Sequence, residues 1–420
     1  MKVVHVNTSD INGGAAIAAH RLHKAFLKKN IDSNMLVMKK TSDEKEIIYA
    51  RDNHFEKHIL SKVRVLIKKA ILSKYKSRKD IIFSPAKFGL DLTKNKIIQE
   101  ADVIHLHWVV GGYLSLSSLD KLFSLNKKIV WTLHDMWAFT GGCHYSGDCE
   151  KYKNHCGNCP ILNSSKENDL SRKIFEKKSK IYNDKNLNII TCSQWLGECA
   201  KESKLLKNKN VNVIPNVLDK NIFKHIDQNI ARDILNLDKD KKYILFGAMN
   251  STSDPRKGWD YLKKSLQIIN EKYPDSKNEI ELLVFGASYS EDVEKLPFNV
   301  KFLGRFSDEI ALSIIYNSAD LFVAPSLEDN LPNTVLESLH CGTPVAAFGI
   351  GGMPDMIEHK KNGYLAEFKS SDNLAKGIVW SLNNLDEVKI NEEYFNKDRI
   401  INDILDIYKS KLTSKFEVLK

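Results

Sequence analysis

The stretch EDNLPNTVLE (328–337) places a proline among acidic residues, directly before an apolar run. It follows ADLFVAPS (319–326), an apolar segment that predicts a β-strand. Proline is favoured in the first turn of a helix and glycine just beyond its end, so we expect a helix that begins at Pro332 and stops at Gly342. Glu337 would then lie about 7.5 Å along the helix axis from Pro332. A strand that leads into a helix in this way is the building unit of an α/β protein.

The same alternation of apolar runs and helical patterns extends along the whole chain. The other runs that predict strands are KVVHVN (2–7), MLVMKK (35–40), ADVIHLHWV (101–109), KKIVWTLHD (127–135), LNIITCSQ (187–194), VNVIPNV (211–217), YILFGAMN (243–250), IELLVFGAS (280–288), VKFLGRF (300–306), TPVAAFG (343–349) and GYLAEF (363–368). Strands separated by helices predict parallel sheets. Because 420 residues exceed one ordinary core, we expect two Rossmann-like, doubly wound α/β domains.

We place these domains at 1–218 and 219–397, followed by a C-terminal helix in 398–420 that packs back on the first domain. The helix is predicted because DRIINDILDIYKSKLTSKF (398–416) carries apolar residues at helical spacing. Parallel sheets bind ligands at the carboxyl ends of their strands, and two such domains facing each other enclose a cleft. Residues at strand ends are therefore the candidates for chemistry.

Charge and composition narrow the class of protein. Lys and Arg number 63 against 53 Asp and Glu, and the net charge of +10 favours an anionic partner. No apolar run approaches the roughly 20 residues needed to cross a bilayer. The N-terminus, MKVVHVNTSD, lacks the apolar centre and cleavage site of a signal peptide, so we expect a cytoplasmic protein.

Two loops have the composition of phosphate-binding sites. NGGAA (12–16) puts two glycines, the second of them Gly14, between a strand and a helix, where backbone can approach a phosphate. DPRKGWDYL (254–262) sets Arg256 and Lys257 before another helix, as a cationic clamp for pyrophosphate. An ordinary tight turn and a charged surface loop are the alternatives.

Histidines lie near the ends of two predicted strands. In TLHDMW (132–137), His134 and Asp135 end a strand, so their side chains would reach the cleft. A histidine there can donate a hydrogen bond to a sugar hydroxyl or stabilise charge, although a structural histidine is the alternative. His105 and His107, in VIHLHW, could line the same cleft.

The acids of the opening stretch need partners of their own. Glu337 gains from the helix dipole, but in a largely apolar segment it requires hydrogen-bond donors. Two neighbouring hydroxyls of a sugar supply such donors. Asp329 lies in the loop before the helix and suits a hydroxyl-rich ring. A capping acid and an ion-paired glutamate are the plainer alternatives.

Taken together, these motifs resemble a known family. DNLPNTVLESLHCGTPVAAF (329–348), followed by GGMPDMIEHKKNGYLA (351–366), resembles the signature of the family 4 retaining glycosyltransferases, which have the GT-B fold. The resemblance continues in NGGAA, TLHD, VIPNV (213–217), the Lys-Gly pair at 257–258 and FLGRF (302–306). The DMWAFTGGC loop is similar to that of transferases of exopolysaccharide and O-antigen assembly. The family has a glutamate where this chain has Asp329, with Glu328 just before it.

The resemblance implies roles for these residues. Glu337 would hold the ribose hydroxyls of a nucleoside-diphosphate sugar, and Asp329 or Glu328 would contact the transferred sugar. Lys257 would bind the diphosphate, with Gly14 approaching it from the other domain. His134 would contact the sugar near the reacting centre, so that His134 and Asp329 are the candidate catalytic residues.

The resemblance also bears on the leaving group. Where the family often has an arginine after the glycine that ends the first strand of the second domain, Ala248 follows Gly247 here, and Arg256 is the candidate substitute. No catalytic cofactor is implied, because cations and helix dipoles stabilise the leaving diphosphate. Retention is attributed to attack on the same face with the leaving phosphate as base, so no protein nucleophile is assigned.

A cluster of cysteines is independent of these motifs. Cys143, Cys149, Cys156 and Cys159 have the spacing C-x5-C-x6-C-x2-C, and four thiolates in one loop can close a structural zinc site. His144 and His155 are substitute ligands. Free thiols in an ordinary loop and disulfides are the alternatives.

The segment HFEKHILSKVRVLIKKAILSKYKSRKD (54–80) predicts a basic amphipathic helix. It carries nine Lys and Arg residues, at 57, 62, 64, 68, 69, 74, 76, 78 and 79, among aliphatic residues. Such a helix can lie on an anionic membrane, although a solvated helix face is the alternative. It predicts peripheral contact with the inner face of the cell membrane.

These observations lead to one function and two rivals. We expect a retaining glycosyltransferase that moves a sugar from a nucleoside-diphosphate sugar to a glycan acceptor, lipid-linked, in cell-surface polysaccharide synthesis. The rivals are a sugar-nucleotide epimerase of the same fold and a basic, zinc-containing nucleic-acid-binding protein. The second predicts aromatic residues among the cations, whereas the basic helix is aliphatic, so we expect no nucleic-acid partner.

Overall fold

The computed structural model describes residues 1–51, 54–79, 81–247, 254–286, 296–306 and 308–410, with backbone alone for 54–62. These residues form two compact units. The first comprises Met1–Val217 together with the segment that starts at Asp398, and the second is Leu218–Lys397. Among the described helices, none is both long enough and apolar enough to cross a membrane.

A parallel sheet forms the centre of the first unit. Its strands are β1 (Lys2–Ser9), β2 (Asp32–Lys39), β3 (Ile47–Tyr49), β4 (Val103–Leu106), β5 (Lys128–Leu133), β6 (Leu187–Thr191) and β7 (Asn210–Val213). Its helices are α1 (Gly14–Lys28), α2 (His54–Leu72), α3 (Lys96–Glu100), α4 (Leu116–Phe123), α5 (Leu170–Tyr182) and α6 (Gln194–Glu202). Among the described residues the sheet has seven strands, in the order β3-β2-β1-β4-β5-β6-β7.

The second unit repeats this architecture. Its strands are β8 (Lys242–Gly247), β9 (Ile280–Phe285), β10 (Asn299–Gly304), β11 (Leu321–Ala324), β12 (Val345–Phe348) and β13 (Gly363–Ala366). Its helices are α7 (Gln228–Ile234), α8 (Trp259–Lys272), α9 (Glu309–Ser318), α10 (Asn333–His340), α11 (Met353–Met356) and α12 (Ser371–Asn384). Within the described part of this unit the sheet has six strands, in the order β10-β9-β8-β11-β12-β13.

The strand orders explain where ligands can bind. All these strands are parallel, but the order in which the chain adds strands changes side once in each sheet. This switch lies between β1 and β4 in the first sheet and between β8 and β11 in the second. Loops at the carboxyl ends of such neighbours leave a crevice. The strands β5, β6 and β9 are buried at every residue, as expected for sheets covered by helices on both faces.

A last helix, α13 (Lys397–Lys409), packs on the first unit. Its buried residues Ile400, Ile401, Ile404 and Tyr408 share a core with Val3, Phe26, Val130 and Ile190. Lys128 Nζ also donates a hydrogen bond to the carbonyl oxygen of Ser410, at 2.9 Å. The apolar residues whose spacing predicted this helix therefore lie on the face that it buries.

The helix predicted from the opening stretch exists, with one correction. Pro332 does not begin it: its φ of −65° and ψ of 121° are extended backbone, and α10 starts at Asn333. Gly342 follows the helix with φ of +87°, a conformation that glycine adopts without strain, so the predicted end is confirmed. Glu337 thus lies in the second turn of α10.

Candidate active site

In the second unit, the turn before α8 is attached to the loop after β11. The side chain of Asp254 accepts a hydrogen bond from the Arg256 amide, at 3.1 Å, and starts the 3-10 turn Pro255–Lys257. Leu327 N donates to Arg256 O at 2.7 Å. Gly258 has φ of +74°, and a Cβ there would lie 1.8 Å from the carbonyl oxygen of Pro325. Only glycine permits this approach, which brings Lys257 to the second loop.

Two predicted ligand-binding residues meet at this junction. Lys257 Nζ donates a hydrogen bond to Asp329 Oδ2 at 2.7 Å, and their side chains are 24% and 14% exposed. Gly351 packs against the backbone of Asp329: its φ is +54°, and a Cβ there would lie 1.9 Å from the carbonyl oxygen of Asp329. The candidate diphosphate cation and the candidate sugar acid are therefore neighbours, although 72 positions separate them in the chain.

Glu337 is held by a residue that sequence reasoning missed. Its side chain is only 3% exposed, and Tyr316 on α9 donates a hydrogen bond from its hydroxyl to Glu337 Oε2 at 2.9 Å. Tyr316 is itself fully buried. No spacing rule links the two residues, because α9 and α10 come together only in the folded unit.

The other predicted donor-binding residues have different surroundings. Arg256 pairs with Asp254 through two hydrogen bonds, at 2.7 and 3.2 Å. Burial opposes ionisation of Asp254, but the hydrogen bonds and charge of Arg256 hold the pKa of its carboxyl below the ordinary value. Glu328 is half-buried in the loop that carries Asp329. Ala248, which stands where the family often has arginine, lies outside the described residues.

In the first unit, the glycine turn after β1 is fixed by Asp10, another residue that the motifs did not reveal. Its carboxylate accepts hydrogen bonds from the amides of Thr41 and Ser42, both at 2.7 Å, and of Ile11 at 2.9 Å. Burial opposes ionisation, but these amides outweigh it and lower the pKa of Asp10 to about 2. The turn leads into Gly14, the first residue of α1.

Asp135, in the loop after β5, is held by three hydrogen-bond donors. Asp135 accepts hydrogen bonds from His144 Nδ1 at 2.6 Å, Trp108 Nε1 at 2.9 Å and the amide of Trp137 at 2.8 Å. The other ring nitrogen of His144 is hydrogen-bonded to Ser84 Oγ at 2.8 Å. His144 therefore braces the loop after β5, and both its nitrogens are occupied.

His134 belongs to a row of histidines. Its Nε2 lies 3.3 Å from His107 Nδ1, and His107 Nε2 lies 3.0 Å from His5 Nδ1. His105 instead meets the hydroxyls of Tyr408 and Thr132, at 2.5 and 2.7 Å. His105 is fully buried and His107 is 3% exposed, so both rings lie in the core of the first unit.

The described part of the chain has one group of three side chains whose potential metal-ligand atoms lie within 4.8 Å of each other: His5, His105 and His107. Those of His105 and His107 already have hydrogen-bond partners on both sides. Burial lowers the pKa of His105 to about 3, so its ring is neutral at pH 7. We interpret the group as a hydrogen-bonded core.

The four cysteines of the predicted zinc site remain close to one another. Cys143, Cys156 and Cys159 are buried and Cys149 is partly exposed, and all four are free thiols. Burial, together with the neighbouring thiols, raises the pKa of Cys143. Among the described residues, no three of these sulfurs lie within 4.8 Å of each other. The set has the donor chemistry of a zinc site, while its sulfurs are spread more widely than zinc ligands.

A buried cation accompanies the cysteines. Lys178 is fully buried, its Nζ lies 3.7 Å above the ring of Trp137, and it donates a hydrogen bond to Thr140 O at 3.0 Å. Burial lowers the pKa of Lys178 to about 7, and the negative charge of ionised Cys143 and Cys156 would raise it. An ammonium in this place would offset the negative charge of a thiolate cluster.

Part of the second unit matches a known family of proteins. Residues 240–384 match the family model described as Glycosyl transferases group 1. An uncharacterized glycosyltransferase of Haemophilus influenzae is 33% identical over 30% of this chain and 36% of that protein. The putative colanic acid biosynthesis glycosyl transferase WcaC of Escherichia coli is 23% identical over 83% of each chain.

The structural likeness extends further along the chain. Anabaena HepE in complex with UDP and glucose has a TM-score of 0.63 at 17% identity, over 98% of this chain and 100% of that chain. This likeness shows the fold, which is GT-B. The family match, 240–384, lies within the second unit and includes Lys257, Asp329 and Glu337. Residues 240–384 thus match a glycosyl transferases group 1 domain, and the comparisons support transferase activity.

Proposed function

We propose that this protein is a retaining glycosyltransferase, which moves a sugar from a nucleoside-diphosphate sugar to a glycan acceptor in cell-surface polysaccharide synthesis. The observation that carries the proposal is the ion pair between Lys257 and Asp329, whose charged atoms are 2.7 Å apart. The helix after Asp329 carries the buried Glu337. The name of the E. coli relative, which refers to colanic acid, supports the pathway. The UDP and glucose bound to HepE support the class of donor.

Lys257 would exchange partners when the donor binds. A diphosphate beside Lys257 offers more negative charge than Asp329, and the start of α8 directly after Gly258 adds free amides and a favourable dipole. Because the ion pair is partly exposed, breaking it costs little. The freed carboxylate of Asp329 would then accept hydrogen bonds from hydroxyls of the transferred sugar.

Glu337 would bind the ribose. Its position inside a packed helix, with Tyr316 on one oxygen, holds the carboxylate in a single orientation before the ligand arrives. Two adjacent hydroxyls match the two oxygens of a carboxylate. Between the two acids before α10, the contact with Lys257 favours Asp329 over Glu328 as the sugar-binding residue.

The remaining roles follow the family resemblance. His134 would donate a hydrogen bond to the transferred sugar, and the backbone at Gly14 would approach the diphosphate. The leaving diphosphate takes the proton of the acceptor hydroxyl while the new glycosidic bond forms on the face that the diphosphate leaves. Lys257, with Arg256 nearby in its turn, stabilises the charge that develops on the diphosphate, so neither a protein nucleophile nor a catalytic metal is assigned.

Donor binding is the direct test. We expect one of UDP, GDP, ADP or dTDP to raise the unfolding temperature, since a ligand at a hundred times its Kd stabilises by about 2.7 kcal/mol. Glu337→Gln should remove most of this shift. Glu358→Gln is the matched control, because Glu358 pairs with Lys361 at the surface of the same unit. No response to any nucleotide, or an equal response in both variants, would contradict the proposal.

We further propose that the acceptor is lipid-linked and that the protein contacts the membrane through 54–79. Of the described side chains, Val65, Leu66 and Phe88 are 49%, 62% and 45% exposed. Val65 and Phe88 line a groove of about 650 Å³, whose basic residues are Arg64, Lys68, Lys69, Lys76, Arg78 and Lys87. Apolar residues exposed among cations are typical of a helix that lies on an anionic bilayer. The side chains of Lys57 and Lys62, and Asp80, lie outside the described residues.

Vesicle flotation tests this contact. The protein should float with vesicles that contain phosphatidylglycerol and not with pure phosphatidylcholine. Leu66→Asp should abolish flotation, whereas Ile230→Asp, at a residue 54% exposed in the second unit, should leave it unchanged. Equal flotation of the two variants would contradict the membrane contact.

We also propose that Cys143, Cys149, Cys156 and Cys159 bind a structural zinc ion that braces the loop after β5. Four thiols have the donor chemistry of a zinc site, and a charged Lys178 would offset the negative charge of their thiolates. Binding would have to draw the sulfurs together. Metal analysis of the gently purified protein should give about one equivalent of zinc, and Cys156→Ser should lose it. Less than half an equivalent in the wild type would reject the site, and Cys199→Ser is the control.

A further inference from the structure

A row of imidazoles runs along one face of the first sheet toward the carboxyl ends of its strands. His5 on β1 lies in register with His105 on β4, and His107 follows two residues later on the same face. His134 comes directly after β5. The mechanism proposed above uses only His134, the last ring of the row, and leaves the buried rings behind it without a role.

Three of these rings form a continuous hydrogen-bonded chain. His5 Nδ1 lies 3.0 Å from His107 Nε2, and His107 Nδ1 lies 3.3 Å from His134 Nε2. Beyond the last ring, His134 Nδ1 is 3.9 Å from the sulfur of Cys192. His105 is outside the chain, because its nitrogens meet Tyr408 and Thr132.

The three rings are neutral at pH 7. Burial lowers the pKa of His134 to about 4 and those of His5 and His107 well below the ordinary value. A neutral imidazole has one N–H and one bare nitrogen. All hydrogen bonds of the chain must therefore point the same way, either outward from His5 or inward from His134.

The surroundings of the two ends select the outward direction. The inward direction would leave an N–H on His5 Nε2, which is buried without a partner, and buried N–H groups are rarely left unpaired. At the other end, the thiol of Cys192 donates toward Leu133 O at 3.7 Å, so its sulfur can accept from His134. The outward direction places a proton on Nδ1 of every ring.

We propose that His107 is a positioning residue, whose Nδ1–H, donated to His134 Nε2, holds His134 in the tautomer that presents Nδ1–H to the ligand. The inference rests on the proposed function, in which His134 donates a hydrogen bond to the transferred sugar. It adds which nitrogen donates and which residue sets it. A sugar oxygen would replace the sulfur of Cys192, a weak acceptor at 3.9 Å.

Amide substitutions separate the two contacts of His107. The amide of asparagine lies near the position of Nδ1, and that of glutamine near Nε2, so His107→Asn retains a donor toward His134 and His107→Gln retains the contact with His5. We expect His107→Asn to keep kcat for donor hydrolysis within about threefold, and His107→Gln and His107→Leu to lose about tenfold or more, with KM nearly unchanged.

His23→Asn is the control for general damage to the core. His23 is fully buried and its Nδ1 is hydrogen-bonded to Ser33 at 2.8 Å, outside the chain. It should lose stability without a change in kcat. Equal kcat in wild type and His107→Leu, or an equal loss in the asparagine, glutamine and leucine variants of His107, would overturn the role of His107.

The tautomer of His134 can be read without any activity. Long-range ¹H–¹⁵N correlation spectra of the full chain with labelled histidine, assigned through His134→Gln, should show a protonated Nδ1 and a bare Nε2. A protonated Nε2 would overturn the inference and leave the proposed function intact. Conversely, if His134 has the expected tautomer but the protein binds no nucleotide, only the proposed function is rejected.

Discussion

Acid should unfold the first unit before the second, because the surroundings of five histidines of the first unit favour the neutral ring. Four of these histidines are buried, and His134 is partly exposed. Burial lowers the pKa of His23 and His134 to about 4 and that of His105 to about 3, and lowers those of His5 and His107 as well. In the unfolded chain a histidine titrates near pH 6.5. Between these values the unfolded chain binds more protons, so the free energy of unfolding falls as the pH falls below 6.5.

The size of the effect follows from proton linkage. Lowering the pH from 7.0 to 5.5 costs a little over about 1 kcal/mol for each such histidine, or about 6 kcal/mol for all five. A typical domain has only about 5–15 kcal/mol of stability. The carboxylates of the first unit with lowered pKa, Asp10, Glu44, Asp91 and Asp135, add little here, because unfolded carboxylates are still mostly ionised at pH 5.5.

Hydrogen exchange can follow the two units separately. We expect the free energy of opening, corrected for intrinsic exchange, to fall by about 6 kcal/mol in β1 and β4 and by much less in β9 between pH 7.0 and 5.5. His23→Leu removes one titrating ring and should reduce the drop by about one fifth. A drop below about 2 kcal/mol in the first unit, or the same drop in both units, would refute the reasoning.

Three further predictions concern the second unit. Asp329→Asn should lower kcat for donor cleavage at least tenfold and leave the affinity for the free nucleotide unchanged. Glu328→Gln should change kcat less than threefold. A larger loss of kcat in Glu328→Gln than in Asp329→Asn would make Glu328 the sugar-binding acid. Tyr316→Phe should weaken nucleotide binding about tenfold in a calorimetric titration, because Glu337 loses a hydrogen bond, and an unchanged Kd would show that Tyr316 does not orient it. Gly258→Ala should destabilise the unit by about 3 kcal/mol in urea unfolding, since φ is +74° and the new Cβ meets Pro325; a loss below about 1 kcal/mol would refute that constraint.

The strands could be predicted from sequence because parallel sheets bury both faces of a strand, which leaves near-continuous apolar runs. The exception is β3, whose three residues, Ile47–Tyr49, are too few for a pattern. The start of α10 was misplaced by one residue, because Pro332 can stand either inside a first turn or just before it, and only its ψ of 121° decides.

The candidate site was predictable in its residues but not in its contacts. Lys257 and Asp329 could be identified from motifs, yet their ion pair depends on Gly258 and Leu327, which attach one loop to the other. The partners Tyr316 of Glu337 and Asp10 of the glycine turn belong to no motif. Such hydrogen bonds join residues far apart in the chain, so no local spacing carries them.

The central claim is that this chain cleaves a nucleoside-diphosphate sugar with retention. The most direct measurement is proton NMR of the purified protein with a panel of such donors and no acceptor, read early enough to identify the first anomer of the released sugar. We predict slow cleavage of one donor with release of the same anomer that the donor carries, and loss of this cleavage in Glu337→Gln. Release of the opposite anomer, or no cleavage and no binding of any donor, would contradict the account.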